Sequence, residues 1–284
     1  MFEFLGTIWN TLLFNPFLNT LLILAHLLGN NLGIAVIILA IVIRLALIPS
    51  TKSQMEMTKK MANLKPELDS LQKKYGNNQE LLVKEQMALY KRVGYNPVGC
   101  LGSLVPQILV LYVMIQVINI VTTNQIDPNT IYFKDWLQFP YVEGKFIFPD
   151  DFTKFFMLDL SKGFNEIGYN LNGLWYFVLA ILVGLVQYIS TKFMQVMQAP
   201  NTPKKKKKGE QSPEDMQAQM MNSMNTIFPL MTIFITLITP AVLGLYWLVQ
   251  SLMLVVQYFI MDKEKSIKAL KDMVKIDYKF NKNK

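Results

Sequence analysis

Five long apolar stretches alternate with charged or polar stretches along the 284 residues of the chain. About 20 consecutive apolar residues cross the hydrocarbon core of a bilayer as a helix, and each stretch has close to that length. The pattern therefore predicts an all-α polytopic membrane protein. The five predicted transmembrane helices are residues 32–49, 97–122, 171–193, 223–240 and 243–262.

Residues 1–31 differ from the predicted spans because polar residues and Asn15-Pro16 interrupt their apolar runs. They contain no lysine or arginine, so they lack the basic start of a cleaved signal peptide. We predict an amphipathic helix that lies in the membrane interface. No second metal-binding side chain accompanies His26, and we interpret it as an interfacial residue.

Residues 50–96 are rich in charge, and apolar residues recur among them at alternating spacings of four and three. This spacing is typical of a coiled-coil seam, and Gly76-Asn77-Asn78 suits a turn between two helices. We predict a helical hairpin, with a kink or a helix start at Pro66. The seam residues are Met57, Met61, Leu64, Leu68, Leu71 and Tyr75, then Leu82, Gln86, Leu89 and Val93.

Three further segments connect or follow the predicted spans. Residues 123–170 form a loop whose proline and aromatic clusters favour short strands or an interfacial turn. Residues 194–222 contain a run of five lysines and are predicted to be a mobile linker. Residues 263–284 form a basic tail with some helical periodicity.

The basic residues predict the orientation of the chain. Of 28 lysines and arginines, 9 lie in residues 50–96, 6 in residues 192–222 and 8 in residues 263–284. Residues 1–31 hold none, and the loop of residues 123–171 holds 4 against 7 acidic residues. The positive-inside rule therefore places the hairpin, linker and tail in the cytoplasm, and the amino terminus and loop outside.

Composition narrows the classes of function. One cysteine and one histidine exclude an internal disulfide and the usual metal and triad sites, so we expect no enzyme activity and no cofactor. The predicted spans hold no pair of carboxylates and no visible inverted repeat, which disfavours a transporter or channel. A multi-span transporter or channel subunit remains the alternative class.

Arg44 is a charged residue inside the first predicted span. A charge in the bilayer core costs from about 2.5 to over 10 kcal/mol, depending on how the cost is estimated. The Arg44 Cα lies about 8–12 Å from the charged end of the helix, since Pro49 and Lys52 follow it by five and eight residues. Its side chain either snorkels to the membrane face or borders a water-filled cavity between helices.

Amide side chains recur in the predicted spans, and each either bonds neighbouring helices or faces such a cavity. Gln187 lies six residues before the end of its span, at much the same depth as Arg44. We predict a groove lined by Arg44, Gln187, Gln116, Gln250 and Trp247. Methionines near the cytoplasmic face would suit unrelated apolar segments, although ordinary packing is their commoner use.

Two clusters of lysine are candidates for contact with ribosomal RNA phosphates or with anionic lipid, and the sequence leaves both open. They are Lys204, Lys205, Lys206, Lys207 and Lys208 in the linker, and Lys268 and Lys271 in the tail.

Three motifs resemble the YidC/Oxa/Alb family of membrane protein insertases, in its short bacterial form. They are IPSTKSQMEMTKKMANLKPEL after Arg44, then LYKRVGYNPVGCLGSLVPQILVLY, and PAVLGLYWLVQSLMLVVQYFI. The resemblance covers residues 32–122 and 171–262. In the family a hydroxyl residue often stands four positions before the arginine, whereas this chain has Ala40 there.

The resemblance implies a five-helix core around a hydrophilic groove that is open to cytoplasm and lipid and closed outside. Arg44 would contact the incoming chain, with Gln187 and Trp247 in the same groove. The implied protein inserts and helps fold nascent membrane proteins in the bacterial cell membrane, as a monomer. It would engage the ribosome and work alone or beside the Sec translocon.

Overall fold

The computed structural model describes residues 6–7, 9–92, 94, 104–123, 130–131, 141–142, 145–146, 148–198 and 227–282. The chain divides into two compact units. The first unit comprises Met1–Ala46, Gln107–Gln187 and Pro229–Leu254. The second unit comprises Leu47–Pro106, Tyr188–Phe228 and Val255–Lys284.

Helices dominate the described residues, with short strands between the fifth and sixth helices. A π-helical turn, Asn10–Phe14, leads into the first helix. The helices are α1 (Asn15–Leu27), α2 (Leu32–Ala46), α3 (Ile48–Tyr75), α4 (Gln79–Arg92), α5 (Leu104–Thr123), α6 (Phe164–Ile167), α7 (Leu171–Gln198), α8 (Ile227–Ile238), α9 (Ala241–Met261) and α10 (Lys263–Lys282). The strands are β1 (Tyr141–Val142), β2 (Lys145–Phe146), β3 (Lys154–Phe155) and β4 (Leu158–Asp159).

Three helices among the described residues are long and apolar enough to cross a membrane unaided. They are Asn10–Leu27, Leu171–Met197 and Ala241–Met261. A fourth span results if Leu32–Ala46 and Ile48–Met57 form one broken span, whereas Val110–Val121 and Ile227–Ile238 are shorter. The prediction of an all-α membrane protein is confirmed in this general form, and the number of five spans stays a prediction.

Helix α1 packs against α2 in the core of the first unit. It buries Leu18, Leu21, Leu22 and Ala25, which recur at helical spacing and so share one face. Its opposite face is exposed at Leu27, and Leu12 in the preceding π-helical turn is exposed as well. The interfacial position expected for residues 1–31 stays a prediction.

Residues 149–168, called here the cap segment, cover the starts of α2 and α9. The first N–H groups of a helix have no partner within the helix and need acceptors from elsewhere. The Leu32 N–H donates to the Phe152 carbonyl at 2.9 Å, and the Val242 N–H donates to the Leu160 carbonyl at 3.1 Å. The Ala241 N–H donates to the Lys162 carbonyl at 2.9 Å, so the two helices begin at the same end of the first unit.

Two short antiparallel strand pairs, β1–β2 and β3–β4, lie in the region predicted to contain short strands or a turn. In the second pair Lys154 is opposite Asp159, and Phe155 is opposite Leu158. Phe155 packs on α2, where a Cβ added at Gly33 would lie 2.4 Å from the Phe155 ring. Glycine therefore permits the close approach of the cap segment to α2.

In the second unit, α3 and α4 pack against each other. Leu64, Leu68 and Leu89 are buried together between them, and Arg92 forms an ion pair with Glu67. Helix α3 ends at Tyr75 and α4 begins at Gln79, so Gly76-Asn77-Asn78 lie between two helices, and the cytoplasmic hairpin stays a prediction. Helix α3 runs through Pro66, which therefore starts no helix.

The remaining helices of the second unit meet through polar and aromatic contacts. The Gln257 amide of α9 donates to the Thr51 hydroxyl of α3 at 2.9 Å. The Phe193 ring of α7 stacks on Phe259 with centroids 6.0 Å apart. Helix α10 buries Ser266, Ala269 and Met273 on one face. The bounds predicted for the domains stay predictions.

Candidate substrate-contact site

Arg44 lies in the last turn of α2, among apolar residues. Its side chain is half-buried and its Nε atom is buried, while its neighbours Val42 and Leu45 are exposed. Tyr246 on α9 is close enough for the charge of the guanidinium to act on its hydroxyl. Arg44 therefore belongs to the α2–α9 side of the first unit.

Helices α2 and α9 are aligned in parallel at one polar contact. The Gln250 amide on α9 donates to the backbone carbonyl of Ala40 on α2 at 3.3 Å. Ala40 follows Leu32 by eight residues and Gln250 follows Val242 by eight, and the cap segment binds the helix starts at Leu32 and Val242. The contact therefore lies about 12 Å from both starts, one helical turn before Arg44.

Helix α7 joins this contact through Gln187. The Ser251 hydroxyl donates to the Gln187 side-chain oxygen, and Ser251 is next to Gln250. Ala40, Gln187, Gln250 and Ser251 thus form one layer of polar contacts across three helices, called here the polar layer. Through this contact Gln187 lies about one helical turn from Arg44 along the helices, and its predicted place in a groove stays a prediction.

Two buried atoms, one in the polar layer and one a helical turn away from it, have spare hydrogen-bonding capacity. The Gln250 Oε1 atom and the Tyr246 hydroxyl are both buried and have no hydrogen-bond partner among the described residues. A buried polar atom without a partner costs about 1–3 kcal/mol. Trp247, adjacent to Tyr246, is half-buried and packs against the core of the first unit.

Gln116 is bound to a different set of partners. Its side-chain oxygen accepts a hydrogen bond from the Trp9 indole at 3.1 Å, and its amide donates to the Tyr112 hydroxyl at 3.0 Å. The Trp9 and Tyr112 rings are also 5.3 Å apart. Gln116 therefore joins the amino-terminal segment to α5, and its predicted place in a groove stays a prediction.

The two lysine clusters differ in what the structure describes. Lys204, Lys205, Lys206, Lys207 and Lys208 lie outside the described residues. Lys268 and Lys271 are exposed on α10, away from its buried face. Their contact with a ribosome or with lipid stays a prediction.

The cap segment has its own polar centre at Asp159. Burial disfavours the charged form of this side chain, but hydrogen bonds from Ser161 and Thr153 outweigh it and hold the pKa of the Asp159 carboxyl below its ordinary value. The Asp159 backbone N–H donates to the Tyr176 hydroxyl at 2.9 Å, and that hydroxyl donates to the Asp159 carbonyl at 3.0 Å. Tyr176 therefore fixes the cap segment to α7.

Sequence reasoning missed Ser251, Tyr246 and the cap segment. Ser251 is a hydroxyl residue within an apolar run, a signal that would have marked it as a bonding partner for another helix. Tyr246 stands in the LYW motif beside Trp247 and could have been considered with it. The capping carbonyls leave no signal in the sequence, because any residue supplies one.

Apolar helices, an arginine within one of them and a polar layer near it define an α-helical membrane protein. The sequence model of the family described as 60Kd inner membrane protein matches residues 23–269. The chain belongs to this family, and the resemblance found in the three motifs is confirmed.

Several bacterial relatives carry the name membrane protein insertase YidC. The protein from Fusobacterium nucleatum is 29% identical over 234 residues, which are 82% of this chain and 87% of the relative. Those from Treponema denticola and Alkalihalophilus pseudofirmus are each 40% identical over 90 and 102 residues. Those two matches cover 31% and 33% of this chain and only 15% and 40% of the relatives, less than two thirds of their lengths.

Proposed function

We propose that this protein is a membrane protein insertase of the bacterial cell membrane. Its substrates are nascent membrane proteins, whose apolar segments it passes into lipid and helps to fold. The observation that carries this proposal is the family match over residues 23–269. The names of the three relatives support it, since the Fusobacterium nucleatum protein is matched over most of both chains.

Arg44 is the residue that receives the substrate in this proposal. In a site with an effective dielectric constant of 20, two unit charges roughly 4 Å apart attract by about 4 kcal/mol, compared with about 1 kcal/mol in water. A half-buried guanidinium therefore attracts an acidic segment more strongly than an exposed lysine does. The half-buried state of Arg44 and its apolar surroundings support this role.

The polar layer is proposed to border the groove that the substrate enters. The unfilled hydrogen-bonding capacity of Gln250 and Tyr246 supports this, because a polar segment of the substrate could bond to both. Tyr246 precedes Gln250 by one turn on α9, and the charge of Arg44 acts on its hydroxyl, which supports a position of both residues beside the proposed groove. Gln187 and Trp247 complete the groove.

The arrangement around the groove is part of the same proposal. Five spans cross the membrane, with the amino terminus outside and the carboxyl terminus in the cytoplasm. Helices α3 and α4 form the cytoplasmic hairpin, and Lys268 and Lys271 contact ribosomal phosphates or anionic lipid. The distribution of lysine and arginine supports this orientation. The protein acts as a monomer, alone or beside the Sec translocon.

Replacement of Arg44 tests the proposal in proteoliposomes. A single-span substrate with an acidic external tail is synthesised in vitro in the presence of the proteoliposomes. The fraction of substrate protected from added protease measures its insertion. We expect Arg44→Ala to lower insertion at least about tenfold, equivalent to about 1.4 kcal/mol of lost attraction. Arg44→Lys should retain part of the activity, since the charge remains without the planar guanidinium.

The matched control is Lys52→Ala, which removes an exposed cation eight residues further along the chain, on α3. It should insert the substrate as the wild type does. Full activity of Arg44→Ala would contradict the role of the arginine. If vesicles that contain the wild-type protein protect no more substrate than vesicles without protein, the insertase function itself is contradicted.

A further inference from the structure

The turn between β3 and β4 exposes two large apolar side chains. Phe156 and Met157 form its two central residues, because Phe155 pairs with Leu158. Phe156 is 92% exposed and Met157 is 66% exposed. The Phe156 ring makes a T-shaped contact with Phe155, with centroids 4.8 Å apart, and otherwise projects outward.

Phe156 adopts a backbone conformation that disfavours its side chain. Its φ of 51° is in the left-handed region, at the first central residue of a two-residue turn. Type II′ hairpin turns place glycine there, because a Cβ atom clashes with the following carbonyl. Folding alone would favour glycine or asparagine at this position. An aromatic residue that is both strained and exposed indicates a contact outside the chain.

Helix α7 determines how deep the turn between β3 and β4 lies relative to the membrane. The hydroxyl of Tyr176 is hydrogen-bonded twice to the backbone of Asp159, at the base of the same hairpin. Helix α7 begins at Leu171, and Tyr169 and Trp175 on either side of that start are exposed, as in an aromatic belt. After Asn172, the exposed residues of its first turns are apolar or aromatic, as expected of a surface in lipid, and include Leu174, Phe177, Val178 and Leu182.

We propose that Phe156 and Met157 insert into the boundary between headgroups and acyl chains of the phospholipid bilayer, at the leaflet where α7 begins. The inserted side chains anchor the cap segment at the depth of the aromatic belt. Lys154 is exposed beside the turn and suits contact with lipid phosphate. The inference requires that α7 crosses the membrane, but it does not depend on insertase activity.

Spin labelling of the full chain in vesicles tests this anchor. Phe156→Cys is made in a Cys100→Ser chain, labelled with a nitroxide, and reconstituted in phosphatidylethanolamine and phosphatidylglycerol. Asn165→Cys, at an exposed position of the same cap segment, is the control. We expect oxygen, which concentrates in lipid, to relax the label at residue 156 more than a water-soluble nickel chelate does. The opposite order is expected at residue 165.

Equal access of the nickel chelate to both labels would overturn the proposal. A protected label at residue 156 that becomes exposed when the protein is diluted in lipid would also overturn it, because the contact would then be with a second copy of the chain.

Phe156→Asn is the second variant, because asparagine tolerates the left-handed φ. When the nitroxide is placed at Met157→Cys, Phe156→Asn should increase the access of the nickel chelate to that label. Unchanged access would contradict the anchoring role of Phe156.

Discussion

The cap segment and the polar layer both belong to the first unit, yet they differ in how their buried polar groups are satisfied. In the cap segment, carbonyl groups accept from the first N–H groups of α2 and α9. Tyr176 both donates to and accepts from the backbone of Asp159. In the polar layer, Gln250 Oε1 has no such partner among the described residues, and neither has the Tyr246 hydroxyl one turn earlier on α9.

This difference separates a region that holds the fold from one that we propose contacts the substrate. The hydrogen bonds of the cap segment close the open ends of helices, so their loss should lower stability. The polar layer keeps buried groups with spare capacity, which is costly for folding alone. The comparison therefore predicts that changes in the cap segment lower stability more than changes in the polar layer.

The largest effect on stability is expected from Gly33→Val. A Cβ at this position would meet the Phe155 ring at 2.4 Å and Leu160 at 3.0 Å, so the cap segment must move away from α2. Overpacking of this kind costs about 1–3 kcal/mol. Thermal unfolding in detergent, followed by circular dichroism, measures the change. Gly6→Val is the control, because a Cβ there meets nothing within 4 Å. Equal melting temperatures for the two variants would disprove the close packing.

A smaller loss is expected from Tyr176→Phe. The variant keeps the ring and removes the hydroxyl that bonds twice to Asp159, so about 1–2 kcal/mol should be lost. The same thermal unfolding measures it. Tyr169→Phe is the matched control, since Tyr169 is 99% exposed. If both variants melt alike, the hydroxyl of Tyr176 does not hold the cap segment.

The smallest effect is expected between Gln187 and Ser251. Hydrogen bonds between membrane helices couple their partners by about 0.6 kcal/mol on average. A double-mutant cycle of Gln187→Leu and Ser251→Ala should give a coupling free energy near that value. If this coupling free energy exceeds the loss of stability caused by Tyr176→Phe, the polar layer and not the cap segment holds the fold more strongly.

Local features of the sequence predicted part of this structure. Arg44 could be recognised because a charge in an apolar run stands out, and Gly76-Asn77-Asn78 because turn residues carry their own conformational preference. The cap segment could not be predicted, since its bonds join Phe152 and Lys162 to helix starts far along the chain. The contact of Gln187 with Ser251 depends on the register between two helices, which no single stretch specifies.

Crosslinking to a nascent substrate tests the central claim most directly. A photoreactive amino acid is placed at Ile41, which lies on the same side of α2 as Arg44, or at Val42, which faces away and is 53% exposed. Ribosomes stalled on an acidic-tailed substrate supply the partner. We expect a strong adduct from position 41 and a weak one from position 42. Equal adducts from the two positions, or none from position 41, would contradict entry of the substrate at Arg44.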